Sequence, residues 1–390
     1  MKKHILPVVL ISLITLLVSS RALFPAKIFD KAAKKQLTGY LDDICQWIVA
    51  REQAARDGQI QPVANTPLSL QGNLARSLLA GGELTKNGAK YVDEGLRWCD
   101  TFAGRQQRLV TALGNGGGYW PLGPAGDVDL SENSVAAVAL ARGLAYADGN
   151  RRKIYQEALD RYARFLLEGA RAGNGLQQTV SGWQLQGEND GSIGGGIQEG
   201  IALLKPSTAS TAAGAAFLAQ MSAVSRDRSF RDAALRAVEW ILKNRRPNGE
   251  MSNFVKGEES EEVPFTTMTL VAEAIQSAYY LLNDTALNQR LGTELDNTIR
   301  RMMRVQAENG LWGEGADRRG SSGVATLLAW HYVSFKGDET IPQALDKFWQ
   351  NLSNPVHSQS FGVLVHPIST AWMGLTTAEM IKPGITFKKI

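Results

Sequence analysis

Six times along the chain, a Gly-rich or aromatic loop runs into a small-residue stretch that opens on Ser or Thr. The openings are Thr66-Pro67-Leu68-Ser69, Ser131-Glu132-Asn133-Ser134, Ser207-Thr208-Ala209-Ser210, Phe265-Thr266-Thr267, Gly320-Ser321-Ser322-Gly323 and Pro367-Ile368-Ser369-Thr370. From Ser69 through Ser134, Ser210, Thr267 and Ser322 to Thr370 they lie 65, 76, 57, 55 and 48 residues apart. Each interval holds two helices and two loops. Internal repetition of this length can fill a 390-residue chain as a single architecture. Six helical hairpins suggest a closed ring, and a ring has a central mouth where a ligand can sit.

Two helix types alternate. The outer type is amphipathic: Gln36 to Arg51 with Leu37, Leu41, Ile44 and Ile48 on one stripe, then Tyr91–Phe102, Ile154–Leu167, Phe230–Lys243, Leu291–Val305 and Ile341–Leu352. Apolar residues at i, i+3, i+4 and i+7 opposite charges describe a helix with one solvated face. The inner type is rich in Ala and Gly and poor in charge, as in VAAVALARGLAYA over Val135–Ala147 and TAAGAAFLAQMSAV over Thr211–Val224. Such helices suit burial on most sides and close approach. The first helix is outer and the last, Ser369–Met380, is inner, so pairing them closes the circle.

This all-α arrangement resembles the (α/α)6 toroid of the six-hairpin glycosidase-like superfamily over about residues 36–382. The resemblance is one of architecture and implies a carbohydrate-active enzyme, a glycoside hydrolase or a polysaccharide lyase, working at the mouth. It carries no family catalytic signature. Two alternatives stand beside it: a non-catalytic toroid that binds glycan or protein, and a terpene-cyclase-like reading. The last is weaker, because Asp127-Val128-Asp129-Leu130 stops short of the acid motif such cyclases use.

Composition narrows the partners. The formal charge is +4, of which Lys2, Lys3 and Arg21 supply three, so the rest of the chain is nearly neutral. That argues against nucleic acid, which requires a basic face. The N-terminus reads as an export signal: Lys2-Lys3, then an apolar run from Ile5 to Val18, then Ser20-Arg21-Ala22 ahead of a cleavage point. The run is shorter than the ~20 residues of a spanning helix. The expected organisation is residues 1–22 as a signal or retained anchor and 23–390 as one toroid domain, secreted or extracytoplasmic, touching a membrane only if that segment is kept. Cys45 and Cys99, the only cysteines, either pair or remain two buried thiols.

In a toroid, the loops leading into the inner helices gather at one end, where helix N-termini present free N–H groups. Here those loops carry Asn115 through Tyr119-Trp120-Pro121, Trp183 with Asp190, an acidic run at Glu258, Glu259, Glu261 and Glu262, and Leu311-Trp312-Gly313-Glu314 with Asp317-Arg318-Arg319. Aromatic planes stack on sugar rings, and carboxylates bind hydroxyls or perform acid–base work. The candidate catalytic carboxylates are Asp127, Asp129, Glu314 and Asp317. The candidate substrate-binding residues are Tyr119, Trp120, Trp183, Asp190, Trp312, Arg142, Arg318 and His366, on an oligo- or polysaccharide.

Each has a purely structural reading as well. Gln306-Ala307-Glu308-Asn309-Gly310-Leu311-Trp312 reads equally as a helix stop plugged by Trp, Glu132 as a first-turn residue serving a cap, and the acidic run as a solvated loop. Arg142 is the one charge in its inner helix and demands a carboxylate partner or a cavity. With Cys45 and Cys99 in outer-type helices, neither a catalytic zinc nor another cofactor is expected.

Overall fold

A computed structural model describes residues 30–60, 67–109, 116–122, 126–173, 176–225, 227–260, 262–353 and 361–387. The expected signal segment, residues 1–22, and Asn115 and Glu261 lie outside the described residues. The inner wall consists of α2 (Leu68–Leu84), α4 (Leu130–Gly143), α6 (Thr208–Val224), α8 (Phe265–Leu281), α11 (Ser321–Phe335) and α13 (Pro367–Ile381). The outer wall consists of α1 (Lys31–Arg56), α3 (Gly88–Arg105), α5 (Gly149–Glu168), α7 (Arg228–Lys243), α9 (Thr285–Glu294) with α10 (Asp296–Arg304), and α12 (Ile341–Ser353). Each inner helix packs on the next, and α13 packs back on both α2 and α1. The ring is closed, and the fold is the (α/α)6 toroid.

Small residues make this closure sterically feasible. Ser77 Oγ donates to the Ala371 carbonyl across the α2–α13 seam at 2.7 Å. A Cβ on Gly323 would sit 2.5 Å from Thr269 Cα, so α11 and α8 touch backbone to backbone. At the α11–α13 seam, Thr376 Oγ1 donates to the Ser322 carbonyl at 3.0 Å.

The recurrent Ser/Thr openings have a physical cause. A polar side chain in the first turn of an inner helix grips the backbone of the loop leading into it. Trp120 N donates to Asn133 Oδ1 at 2.7 Å, and Trp312 N to Ser321 Oγ at 2.8 Å. Ile193 N donates to Thr211 Oγ1 at 2.8 Å, and Leu364 N to Thr370 Oγ1 at 2.9 Å. On the outer side, Gln106, Gln184 and Gln306 each donate from Nε2 to a carbonyl of the following outer helix, at Ala158, Ala233 and Ala344, all at 2.8 Å.

Two features differ from the sequence expectation. The fifth outer helix, expected as one segment over Leu291–Val305, starts at Thr285 and breaks at Leu295 into α9 and α10. Its apolar stripe survives the break, since Leu287, Leu291, Leu295, Ile299 and Met302 are all buried. The loops also hold short antiparallel sheets: β1 (Gln107–Arg108) with β2 (Gly118–Tyr119), β3 (Val128–Asp129) with β4 (Ile193–Gln198) and β5 (Ile201–Ser207), and β6 (Asn253–Val255) with β7 (Glu258–Ser260). Cys45 and Cys99 are free, buried thiols, facing the Ser77 and Ala139 carbonyls at 3.7 and 3.6 Å. No described helix is long and apolar enough to cross a membrane.

The seam argument has a direct test. Gly323→Ala is expected to destabilise the fold by about 1–3 kcal/mol, because overpacking meets backbone there. Gly39→Ala, on α1 with nothing within 4 Å, is expected to be neutral or stabilising. Thermal unfolding of the two variants distinguishes them.

Candidate functional site

The first turns of the inner helices converge on a mouth cavity of about 350 Å³. Its walls include Ser69, Leu70 and Asn73 of α2, Ser131, Glu132 and Val135 of α4, Thr266, Thr267 and Leu270 of α8, and Ile368 and Trp372 of α13. Ala316 and Arg319 come from the 3-10 turn before α11. The volume lies within the ~300–1,000 Å³ range of small-ligand pockets.

Glu132 is the carboxylate among these lining residues. Its two oxygens receive Ser69 N at 2.6 Å and Ser69 Oγ at 2.8 Å, so a first-turn residue of α4 caps the neighbouring helix α2. The start of α2 needs that help, since Pro67 at its N-cap makes no side-chain cap. Burial pushes the Glu132 carboxyl above the usual range; the two Ser69 hydrogen bonds oppose the shift and nearby Asp129 adds to it. A half-buried acid with a raised pKa on a cavity wall has the character of a proton donor.

The expected carboxylates are placed differently. Asp129 is the N-cap of α4, accepting from Ser131 N at 2.8 Å and Glu132 N at 3.2 Å. Asp317 caps α8 from the next hairpin, accepting from Phe265 N at 3.0 Å and Thr266 N at 2.9 Å. Like α2, α8 has a proline N-cap, Pro264, without a side-chain cap of its own. Asp127 accepts from Glu199 N at 2.8 Å, and Glu314 is exposed. None of these four lines the mouth cavity.

The expected stacking residues are likewise structural in position. Trp120, Trp183 and Trp312 are at most 1% exposed. The indoles of Trp120 and Trp312 donate to the Phe102 and Met302 carbonyls, both at 2.7 Å, so equivalent tryptophans plug equivalent hairpins. Tyr119 is buried against Phe165, and Asp190 is exposed beside Arg236 at 3.2 Å. Glu259 and Glu262 of the acidic run pair with Arg246 and Arg301.

Arg142 lies at the C-terminal end of α4, about 18 Å along the axis from Leu130 at ~1.5 Å per residue, and so away from the mouth. It donates to the Ile385 carbonyl at 3.1 Å, and burial holds its guanidinium below its usual pKa while Tyr146, Glu83 and Glu379 favour the charge.

His366 is the N-cap of α13, where Nδ1 accepts from Ile368 N at 3.3 Å. Burial, then Arg319 and Arg51, hold it below its ordinary pKa. The neutral ring therefore carries its proton on Nε2, a tautomer assigned here from the hydrogen bond. Arg318 is half-buried with Nε making no hydrogen bond among the described residues. Arg319 lines the mouth.

The sequence reading missed Ser69 as the partner of Glu132, and Asn73 and Trp372 as wall residues. It also missed Arg76 and Glu273, which form an ion pair one turn below Asn73 and Leu270. The signal was available, because Glu273 is the lone charge of α8. Among the described residues no group of three or more His, Cys, Asp or Glu is placed to hold a metal ion.

No protein-family model matches the sequence, and no curated protein matches it. Solved structures do. An α-mannanase of glycoside hydrolase family 76 from Bacteroides thetaiotaomicron aligns at 12% identity and TM-score 0.55, over 80% of this chain and 85% of its own. A cellobiose 2-epimerase from Spirochaeta thermophila aligns at 12% identity and TM-score 0.56, over 81% and 86%. A glycoside hydrolase of family 105 from C. acetobutylicum aligns at 14% identity and TM-score 0.52, over 80% and 82%. At these identities the likeness is one of fold.

Asp317→Ala is expected to cost about 0.5–2 kcal/mol through loss of the α8 cap. Buried His331 and half-buried His366 both have folded pKa values below the unfolded ~6.5. Their neutral forms therefore support the fold fully above that pH, and the support is lost as pH falls through the folded values. Unfolding midpoints between neutral and acid pH should decline less steeply in His331→Gln than in the parent.

Proposed function

We propose that the protein is an exported carbohydrate-active enzyme that works at the mouth of the toroid, with Glu132 as the group that protonates a glycosidic oxygen. The observation that carries this reading is the raised Glu132 carboxyl on the wall of a ligand-sized cavity. Half-buried Trp372 offers an aromatic face, and Asn73, Ser131 and Thr267 offer hydrogen-bonding groups to hydroxyls. The activities of proteins with the same fold, a mannanase, a sugar epimerase and a glycoside hydrolase, support carbohydrate as the substrate class. Export rests on the sequence of residues 1–22.

A second reading, a non-catalytic glycan binder, is favoured by one observation. Both Glu132 oxygens already serve the α2 cap, and among the described residues no second carboxylate lines the mouth cavity. Hydrolysis conventionally uses a pair.

Glu132→Gln separates the two. In the enzyme it is expected to lower kcat by about 10²–10⁴-fold, with activity in the parent declining as pH rises through the raised Glu132 pKa. In a binder only affinity changes. Reducing-end release and absorbance from a new double bond, over a panel of polysaccharides, identify the reaction. A folded protein that yields neither product overturns the enzyme reading.

A further inference from the structure

Two of the six inner helices reach each other across the axis of the ring. α2 and α8 are the first and fourth of the six, so they stand on opposite sides of the bore. The Arg76 guanidinium of α2 pairs through Nη2 with the Glu273 carboxylate of α8, and Arg76 is 3% exposed. A buried pair of this kind gains little stability over apolar side chains of similar volume, because desolvation offsets the attraction. Its consequence lies in what it holds.

Arg76 Nη1 donates to Asn73 Oδ1 at 3.1 Å, three residues earlier on α2. A guanidinium has N–H donors and no acceptor, so the amide oxygen is the end of Asn73 that turns toward it. The other end, Nδ2, keeps its two N–H groups. It has no partner among the described residues, and it is not sealed in the packing as the neighbouring Arg76 Nε is. Asn73 is 5% exposed and lines both the mouth and a smaller cavity of about 50 Å³ that shares its wall. The accessible part of this side chain therefore opens into the bore.

Asn73 also stands in line with the acid. Ser69, whose N–H and hydroxyl hold the two Glu132 oxygens, precedes it by four residues. The two positions share one face of α2, about 6 Å apart along its axis. A sugar residue that enters the bore beneath Glu132 comes level with Asn73.

We propose that Asn73 is a specificity-determining residue of the mouth: its Nδ2 donates to an oxygen of the sugar residue lodged beneath Glu132, and Arg76 with Glu273 are the positioning residues that hold it donor-first. The proposal rests on the carbohydrate reading above and deepens it. While Arg76 holds the amide oxygen the side chain cannot turn over, so this point of the wall serves an acceptor and never a donor. Apolar residues in place of the buried pair would fill the same space without fixing that direction.

The test uses the full-length protein and three probe sets, linear oligosaccharides prepared from mannan, from glucan and from polygalacturonate. Binding is followed by calorimetry and folding by thermal unfolding. Asn73→Ala is expected to weaken binding of the set that the parent binds by at least about tenfold, the equivalent of one hydrogen bond or more. Arg76→Met combined with Glu273→Met exchanges the pair for apolar side chains and keeps the fold. This exchange is expected to weaken binding about three- to tenfold in the parent, and no more than about twofold further when added to Asn73→Ala, because groups that act through one contact are not additive. A pair with a purely structural role would lower both by the same factor. Glu273→Gln, which keeps the shape of the pair and removes one charge, serves the same comparison if the apolar exchange does not fold. Asn73→Ala that binds like the parent, or two losses that multiply, would overturn the positioned donor and leave the carbohydrate reading standing. A folded parent that binds none of the three sets overturns both.

Discussion

The structure depends on how closely six inner helices can approach one another. Where Gly323 meets Thr269 and Ser77 meets Ala371, backbone lies against backbone or is separated by a single hydroxyl. Larger residues at these seams would widen the ring and open gaps along its axis. Close approach explains why α6 and α11 are so poor in charge, and why Ser and Thr hydroxyls bond across the seams instead of reaching solvent. The outer helices answer the opposite requirement. They present one apolar stripe inward and leave the rest to solvent.

Charges inside such a wall must find partners within it. Arg76 finds Glu273, and Arg142 and Glu379 meet around the C-terminal turn. The carboxylates of the mouth-side loops follow a related logic. Glu132 and Asp317 each cross to a neighbouring hairpin and cap a helix whose proline start cannot cap itself. Helix capping therefore occupies several acids whose loop positions also suit chemistry. Glu132 differs from Asp317 in one respect, since it also faces the cavity.

The fold was legible because its cause is periodic. The alternation of stripe-bearing and small-residue helices, and the repeated Ser/Thr openings, are local patterns imposed by the wall each helix joins. The site was far less legible. Asp129, Trp120 and Trp312 sit in the loops where a ligand group would be sought, yet the same positions are where a helix needs a cap and a hairpin needs a plug. Loop composition does not separate these duties; the direction of one hydrogen bond does. Arg76 and Glu273 were overlooked because they lie 197 positions apart and meet only once the ring is closed. The β4–β5 hairpin also escaped notice, since its Gly194-Gly195-Gly196 run reads as a loop until paired.

Closure also orders events during synthesis. Ser77 and Ala371 meet across 294 residues of sequence, and α1, among the first helices to be made, is covered by α13, the last. Until α13 emerges, the stripe of Leu37, Leu41, Ile44 and Ile48 lacks its cover, and five hairpins form an arc with two unsealed flanks. The seam between the first and last of these helices can therefore form only after α13 has been made, and until then the arc keeps apolar surface exposed.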